Sequence, residues 1–298
     1  ILYIGNDKTH ENAREAQISK MKEDIDLIKV FLTELKQNLE QEKYELYKVE
    51  QTLENFQLAD GRYSVGLSNY MELQDDINDK MRSILLDWLV EVYYKFSLLP
   101  ETLFLTSNLI DRYLSYRQIK RSKLQLVGVT ALFIASKYEE IYPPELAKLV
   151  YITDNAYQKE DVLEMEMDML KALQFNVTVP SPLKYFDFLK IKFKIDEYSE
   201  HQILFLLFLN LLNGKTKAYS SFILATAATS IVCGELKNRI FEFYGHPEKT
   251  AEIKSCMMEL VKYAQKANES CFNLNGVKKI FSLVKYNQVA TLNYEIPA

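Results

Sequence analysis

The chain has 298 residues, with 36 Lys and Arg against 41 Asp and Glu and a formal net charge of −5. Hydrophobic residues make up 48% and charged residues 26%, shares that exclude a disordered chain, and the mild acidity gives no basis for sequence-independent nucleic-acid binding. Only 8 Gly and 7 Pro are too few turn residues for an all-β fold, so the predicted class is all-α.

In chain order, the first predicted element is a heptad seam. Ile18, Met21, Ile25, Ile28, Leu32, Leu35 and Leu39 alternate spacings of three and four, and after Glu42 the seam resumes with Leu46, Val49, Leu53 and Phe56. Lys22, Lys29, Lys36 and Lys43 flank it on one side, Asp24 and Glu45 on the other. Two readings fit: a coiled coil with a partner chain or a second copy through 18–56, and one long amphipathic helix lying on its own protein. Residues 59–80, with Gly61, Gly66 and the acids Asp75, Asp76 and Asp79, read as a solvated connector ending at an N-cap, Asn78. Those acids lack a calcium-loop pattern.

From Met81 the pattern becomes helical, with Met81, Ile84, Leu85, Trp88, Leu89, Val92, Tyr93 and Phe96 on one stripe. Pro100 starts a second helix. Ser122 and Gln125 have capping-box spacing and open a third, Leu124 to Tyr138, whose Gly128, Ala131, Ala135 and Ser136 allow close approach on several faces. This third helix is therefore the predicted centre. Pro144 is read as the start of a fourth, and Lys159 to Leu173 as a fifth. The plan then recurs at an offset of about 95 residues: Ile203–Leu212 matches the bulky second helix and Phe222–Gly234 the small-residue third.

Ile203–Leu212 is too short to cross a bilayer and reads as a buried helix, so no membrane partner is expected. Cys233, Cys256 and Cys271 are too few for a disulfide framework and suit a reducing compartment. The three histidines, His10, His201 and His246, lack ligand spacing, so neither a metal nor another cofactor is expected. No phosphate-binding glycine loop, paired CxxC, HExxH or GxSxG occurs, so catalysis is unsupported. The chain opens at Ile1 and reads as a fragment.

Several longer motifs carry a family resemblance. Residues 81–91 (MRSILLDWLVE) resemble the opening helix of the cyclin box of mitotic cyclins. Residues 123–131 (KLQLVGVTA) and 135–145 (ASKYEEIYPPE) resemble its third helix and the loop that follows, and Tyr151–Tyr157 and Met165–Met167 follow in order. Val127–Ala131, Asp154-Asn155 and Pro180–Leu183 look nearer to B-type than to A-type members. The resemblance is close over residues 70–180 and loose to 292.

The resemblance implies two tandem five-helix cyclin-box folds behind the heptad helix: 1–58 heptad helix, 59–80 connector, 81–178 first box and 179–298 second box. It implies a non-catalytic regulatory subunit of a cyclin-dependent kinase, nuclear and cytoplasmic, acting at G2/M. Carried over by motif, Lys137 and Glu166 are the charged pair facing the kinase, with Ile134, Tyr138, Leu170, Phe175 and Val177 as the apolar surface around them. Met81, Ile84, Leu85, Trp88, Glu91, Leu124 and Gln125 match a docking patch for Arg-x-Leu motifs of substrates or inhibitors. Arg82 and Asp111 match an internal ion pair between the first two helices. The family's proline before the first box is replaced in Gln74-Asp75-Asp76-Ile77, which predicts a less rigid approach to that box. A different class of function remains compatible: a scaffold using the heptads and the box for protein binding alone.

Overall fold

The computed structural model describes Lys36, residues 69–244 and residues 247–297. The heptad helix predicted within 1–58 lies outside the described residues, Lys36 apart. The described residues from 69 onward belong to one compact unit and contain no β-strand.

Five helices form its first half: α1 Asp79–Phe96, α2 Pro100–Tyr116, α3 Leu124–Glu139, α4 Leu146–Tyr151 and α5 Lys159–Ala172. Local chemistry sets several ends. The Asn78 side chain accepts the Met81 N–H at 3.1 Å and caps α1, with Asp79 in the first turn. Pro100 occupies the first turn of α2, and Glu140 accepts the Leu99 N–H at 2.7 Å and the Thr102 hydroxyl at 2.5 Å beside it. Gln158 and Asp161 form a capping box at α5.

Two predicted starts are corrected. The Ser122–Gln125 capping box does not form: a 3₁₀ turn, Arg121–Lys123, leads directly into α3, which has no side-chain cap. Pro144 does not begin α4 either. A residue before proline is pushed toward extended backbone, the chain stays non-helical through Pro143 and Pro144, and Glu145 takes the N-cap position.

Five further helices repeat the plan: α6 Pro182–Phe193, α7 Glu197–Leu211, α8 Ser221–Val232, α9 Lys237–Tyr244 and α10 Pro247–Ala267, followed by a short α11, Gly276–Phe281. In the first half α3 is the hub, touching α1, α2, α4 and α5; in the second, α8 touches α6, α7, α9 and α10. Small side chains make this feasible. A methyl group added at Gly128 would lie 2.7 Å from Leu85 Cδ1, so any larger residue there requires the Leu85 side chain of α1 to shift. On α8, Ala225, Ala227 and Ala228 are fully buried. The Thr226 and Thr229 hydroxyls donate to the carbonyls of Phe222 and Ala225, both at 2.8 Å, which satisfies polar atoms that would otherwise be stranded.

The halves share an aromatic core. Phe208 of α7 meets Tyr93 of α1, Phe104 of α2 and Phe281 of α11 at centroid separations of 5.6, 5.3 and 5.2 Å. Such tilted and edge-on pairs suit the ring quadrupole.

The approach to α1 is more firmly held than predicted. Gln74, although no proline follows it, donates to the carbonyls of Leu114 and Arg117, both at 2.7 Å, and accepts the Ile119 N–H at 3.0 Å. Tyr70 and Ile77 are buried as well. The described part of the predicted connector is thus anchored to the C-terminal end of α2 rather than solvated along its length.

Candidate protein-docking surfaces

Three constellations emerge from this frame. The first is buried. Arg82 of α1 and Asp111 of α2 pair in a fork, Nε to Oδ1 at 2.5 Å and Nη2 to Oδ2 at 2.6 Å, with side chains 3% and 10% exposed. The Tyr70 hydroxyl donates to Asp111 at 2.7 Å, and Arg82 Nη1 donates to the Leu211 carbonyl at the end of α7, at 2.9 Å. Burial first, and then the Asp111 carboxylate, push the Tyr70 phenol far above its ordinary pKa. The pair therefore fastens the connector, through Asp111, and the second half, through Arg82, to the first two helices, which is more than an α1–α2 bridge.

The second constellation is exposed. Lys137 at the end of α3 pairs through Nζ with Glu166 Oε1 of α5, the side chains being 42% and 13% exposed. Lys137 Nζ also lies 4.1 Å from the Phe133 ring centroid. Of the residues predicted around the pair, Tyr138 and Phe175 are exposed, Leu170 and Val177 are half-buried, and Ile134 is buried and so is not presented at the surface. The turn after α5 turns Phe175 outward: Gln174 and Phe175 both have left-handed backbone, φ 52° and 59°, uncommon for residues with a Cβ. Arg112 Nη2 holds that turn through the Asn176 carbonyl at 2.8 Å, and the Tyr138 hydroxyl meets Thr178 Oγ1. Sequence reasoning missed Leu163 and Met167, both about half exposed. The signal was present, since 163, 166, 167 and 170 share one helix face at spacings of three and four.

The third constellation is an open groove of about 390 Å³, lined by Met81, Ile84, Leu85, Trp88, Arg121, Leu124 and Gln125. Six of the seven residues predicted for the patch meet there. Glu91 does not line it; its carboxylate accepts Lys279 Nζ of α11 at 2.6 Å. Arg121 joins the wall unannounced, held by Asp76 through its Nε at 2.7 Å and its backbone N–H at 2.8 Å. The predicted acidic group is thereby divided: Asp76 serves Arg121, while Asp79 receives Lys217 Nζ at 2.7 Å. Among the described residues no group of three or more His, Cys, Asp or Glu could hold a metal ion, and no helix is long and apolar enough to cross a membrane.

These surfaces present apolar area beside fixed charge on rigid helices, which is the make-up of sites that bind other proteins. Comparison with known proteins agrees on the fold. Residues 52–178 match the family described as cyclin, N-terminal domain. Cyclin-B2-2 of Arabidopsis thaliana is 41% identical over 247 residues, covering 81% of this chain and 57% of that protein. Cyclin-B1-3 of the same plant is 41% identical over 231 residues, covering 75% and 55%. The chain therefore spans a little over half the length of these relatives. Among solved structures, a viral cyclin from herpesvirus saimiri superposes with a TM-score of 0.63 at 18% identity, covering 71% of this chain and 97% of that one. A chain of the CAK complex from Chaetomium thermophilum, bound to ATP-γ-S, gives 0.55 at 15% identity, covering 82% and 83%. Residues 52–178 thus carry a cyclin N-terminal domain, and the sequence relatives named here are B-type cyclins.

Proposed function

We propose that this chain is the non-catalytic activating subunit of a cyclin-dependent Ser/Thr protein kinase, acting at G2/M and in mitosis, in nucleus and cytoplasm. The observation that carries this reading is the Lys137–Glu166 pair at the surface, with exposed Tyr138 next to Lys137 on α3, exposed Leu163 and Met167 beside Glu166 on α5, and exposed Phe175 in the turn that follows. An ion pair kept only for stability has no use for exposed Phe175 and Tyr138 beside it, whereas a partner helix would bury them. A protein kinase is active only when a glutamate of its αC helix pairs with the β3 lysine. A subunit that packs on αC in that position and binds the other position poorly shifts the population toward the active state. Lys137 and Glu166 would supply hydrogen bonds to the helix and its neighbouring backbone, and these apolar side chains would supply the buried area.

The Trp88 groove takes the second role, recruitment of substrates or inhibitors. An apolar anchor such as the leucine of an Arg-x-Leu motif fits between Ile84, Leu85 and Trp88, with Gln125 at the edge to bond its backbone.

The test is activation in solution. The chain is added to a purified cyclin-dependent kinase of the same source, and phosphorylation of a Ser-Pro peptide is followed. The reading expects activation that saturates with added chain. Absence of binding to any such kinase overturns it.

A further inference from the structure

A second groove, of about 660 Å³, adjoins the Trp88 groove and shares Ile84 with it. Its walls come from the start of α1, the 3₁₀ segment Gly214–Ala218, α10 and residues 271–274. Four lysines line it, Lys80, Lys215, Lys262 and Lys266, all exposed, and none has an ion pair or hydrogen bond from its ammonium group among the described residues. Only two acids border the same space, Asp79 and Glu259, and Asp79 is already engaged by Lys217. In a chain of net charge −5 this is a local excess of uncompensated positive charge. At the apolar groove the nearby charges are already paired, Glu91 with Lys279 and Arg121 with Asp76, so the four lysines are the unpaired charge beside it. The surroundings of the Trp88 groove therefore favour carboxylates over a guanidinium in the ligand.

We propose that this basic groove receives an acidic segment of the same peptide whose apolar anchor fills the Trp88 groove, so that the docking surface selects ligands by an apolar residue next to a run of Asp or Glu. Extended peptide covers about 3.3 Å per residue, so a few residues beyond the anchor reach from one groove to the next. The inference rests on the docking role proposed above for the Trp88 groove.

The test uses the full chain titrated against fluorescein-labelled peptides by anisotropy. One peptide carries an Arg-x-Leu core flanked by glutamines; two others carry four glutamates on either the N-terminal or the C-terminal side. We expect one acidic peptide to bind about tenfold more tightly than the neutral peptide in low salt, with the advantage gone at 1 M salt, where the screening length is about 3 Å. The K80Q/K215Q/K262Q/K266Q variant should lose the advantage while binding the neutral peptide as wild type does, which also shows that it folds. An acidic flank that gives no gain, or a gain that survives the four substitutions, overturns the proposal. The docking reading fails separately, if the neutral peptide binds folded Trp88→Ala as well as wild type. If acidic peptides bind through the lysines without needing Trp88, the shared-ligand proposal falls too.

Discussion

Two of the ion pairs that join elements of the first half, Arg82–Asp111 and Lys137–Glu166, are set apart by their surroundings. Arg82–Asp111 is sealed, its fork supplemented by Tyr70 and the Leu211 carbonyl. Lys137–Glu166 stands at the surface, on helices that also expose Tyr138, Leu163 and Met167. A buried pair is costly to break, since the surviving charge is left without water or partner. An exposed pair contributes little to folding. The chemistry is similar in both places; the environment seals one into the fold and leaves the other at the surface, where the proposed kinase would meet it.

The largest expected effect breaks the sealed pair. Asp111→Ala should cost about 3–5 kcal/mol, because Arg82 is stranded in the core, and it should reduce kinase binding only in step with unfolding. Urea denaturation beside a binding titration separates the two effects. A variant as stable as wild type would show that the pair is not structural. Next comes the packing between the two sites. Gly128→Ala forces a methyl against Leu85, and overpacking of this kind costs about 1–3 kcal/mol. Leu85 also lines the Trp88 groove, so neutral-peptide docking should weaken in the same variant. Unaltered melting and docking together would mean that Leu85 swings aside freely.

Smaller effects concern titration and thiols. Asp168 accepts the Tyr113 hydroxyl at 2.6 Å and pairs with Arg117, and these hold its carboxyl below the usual range. Because its pKa is lower folded than unfolded, its contribution is complete above the ordinary carboxylate value. It should fade as pH falls from about 4 through the folded value. Asp168→Asn should flatten the acid limb of a stability–pH curve in that window; an unchanged limb argues against the contribution. Among the thiols, burial pushes Cys233 up to about 11 and Cys256 higher still, whereas Cys271 is exposed. Iodoacetamide at neutral pH should modify Cys271 first and leave the other two until the chain unfolds. Fast labelling of Cys256 would contradict the packing around α10.

Much of the fold was legible because it rests on periodicity and residue size. The stripe from Met81 to Phe96 and the small residues of α3 and α8 announced two hub helices about 95 residues apart. What stayed hidden depends on contacts distant in sequence. Lys279 reaches Glu91 across 188 positions and Gln74 reaches Leu114 across 40; neither leaves a local signature. Ser122 failed as a cap although its spacing was right, because the 3₁₀ turn before α3 took its place. The candidate site residues on contiguous motifs were legible through the family resemblance, whereas Arg121 and the four groove lysines entered through the folding of separate segments onto α1.

The most direct test of the central claim compares the two pairs in one assay. Lys137→Ala/Glu166→Ala and Asp111→Ala are each mixed with the kinase, with thermal melting recorded on the same samples. The account predicts that the double variant melts within about 1 kcal/mol of wild type yet fails to activate the kinase, while Asp111→Ala activates in proportion to its folded fraction. Full activation by the folded double variant would contradict it.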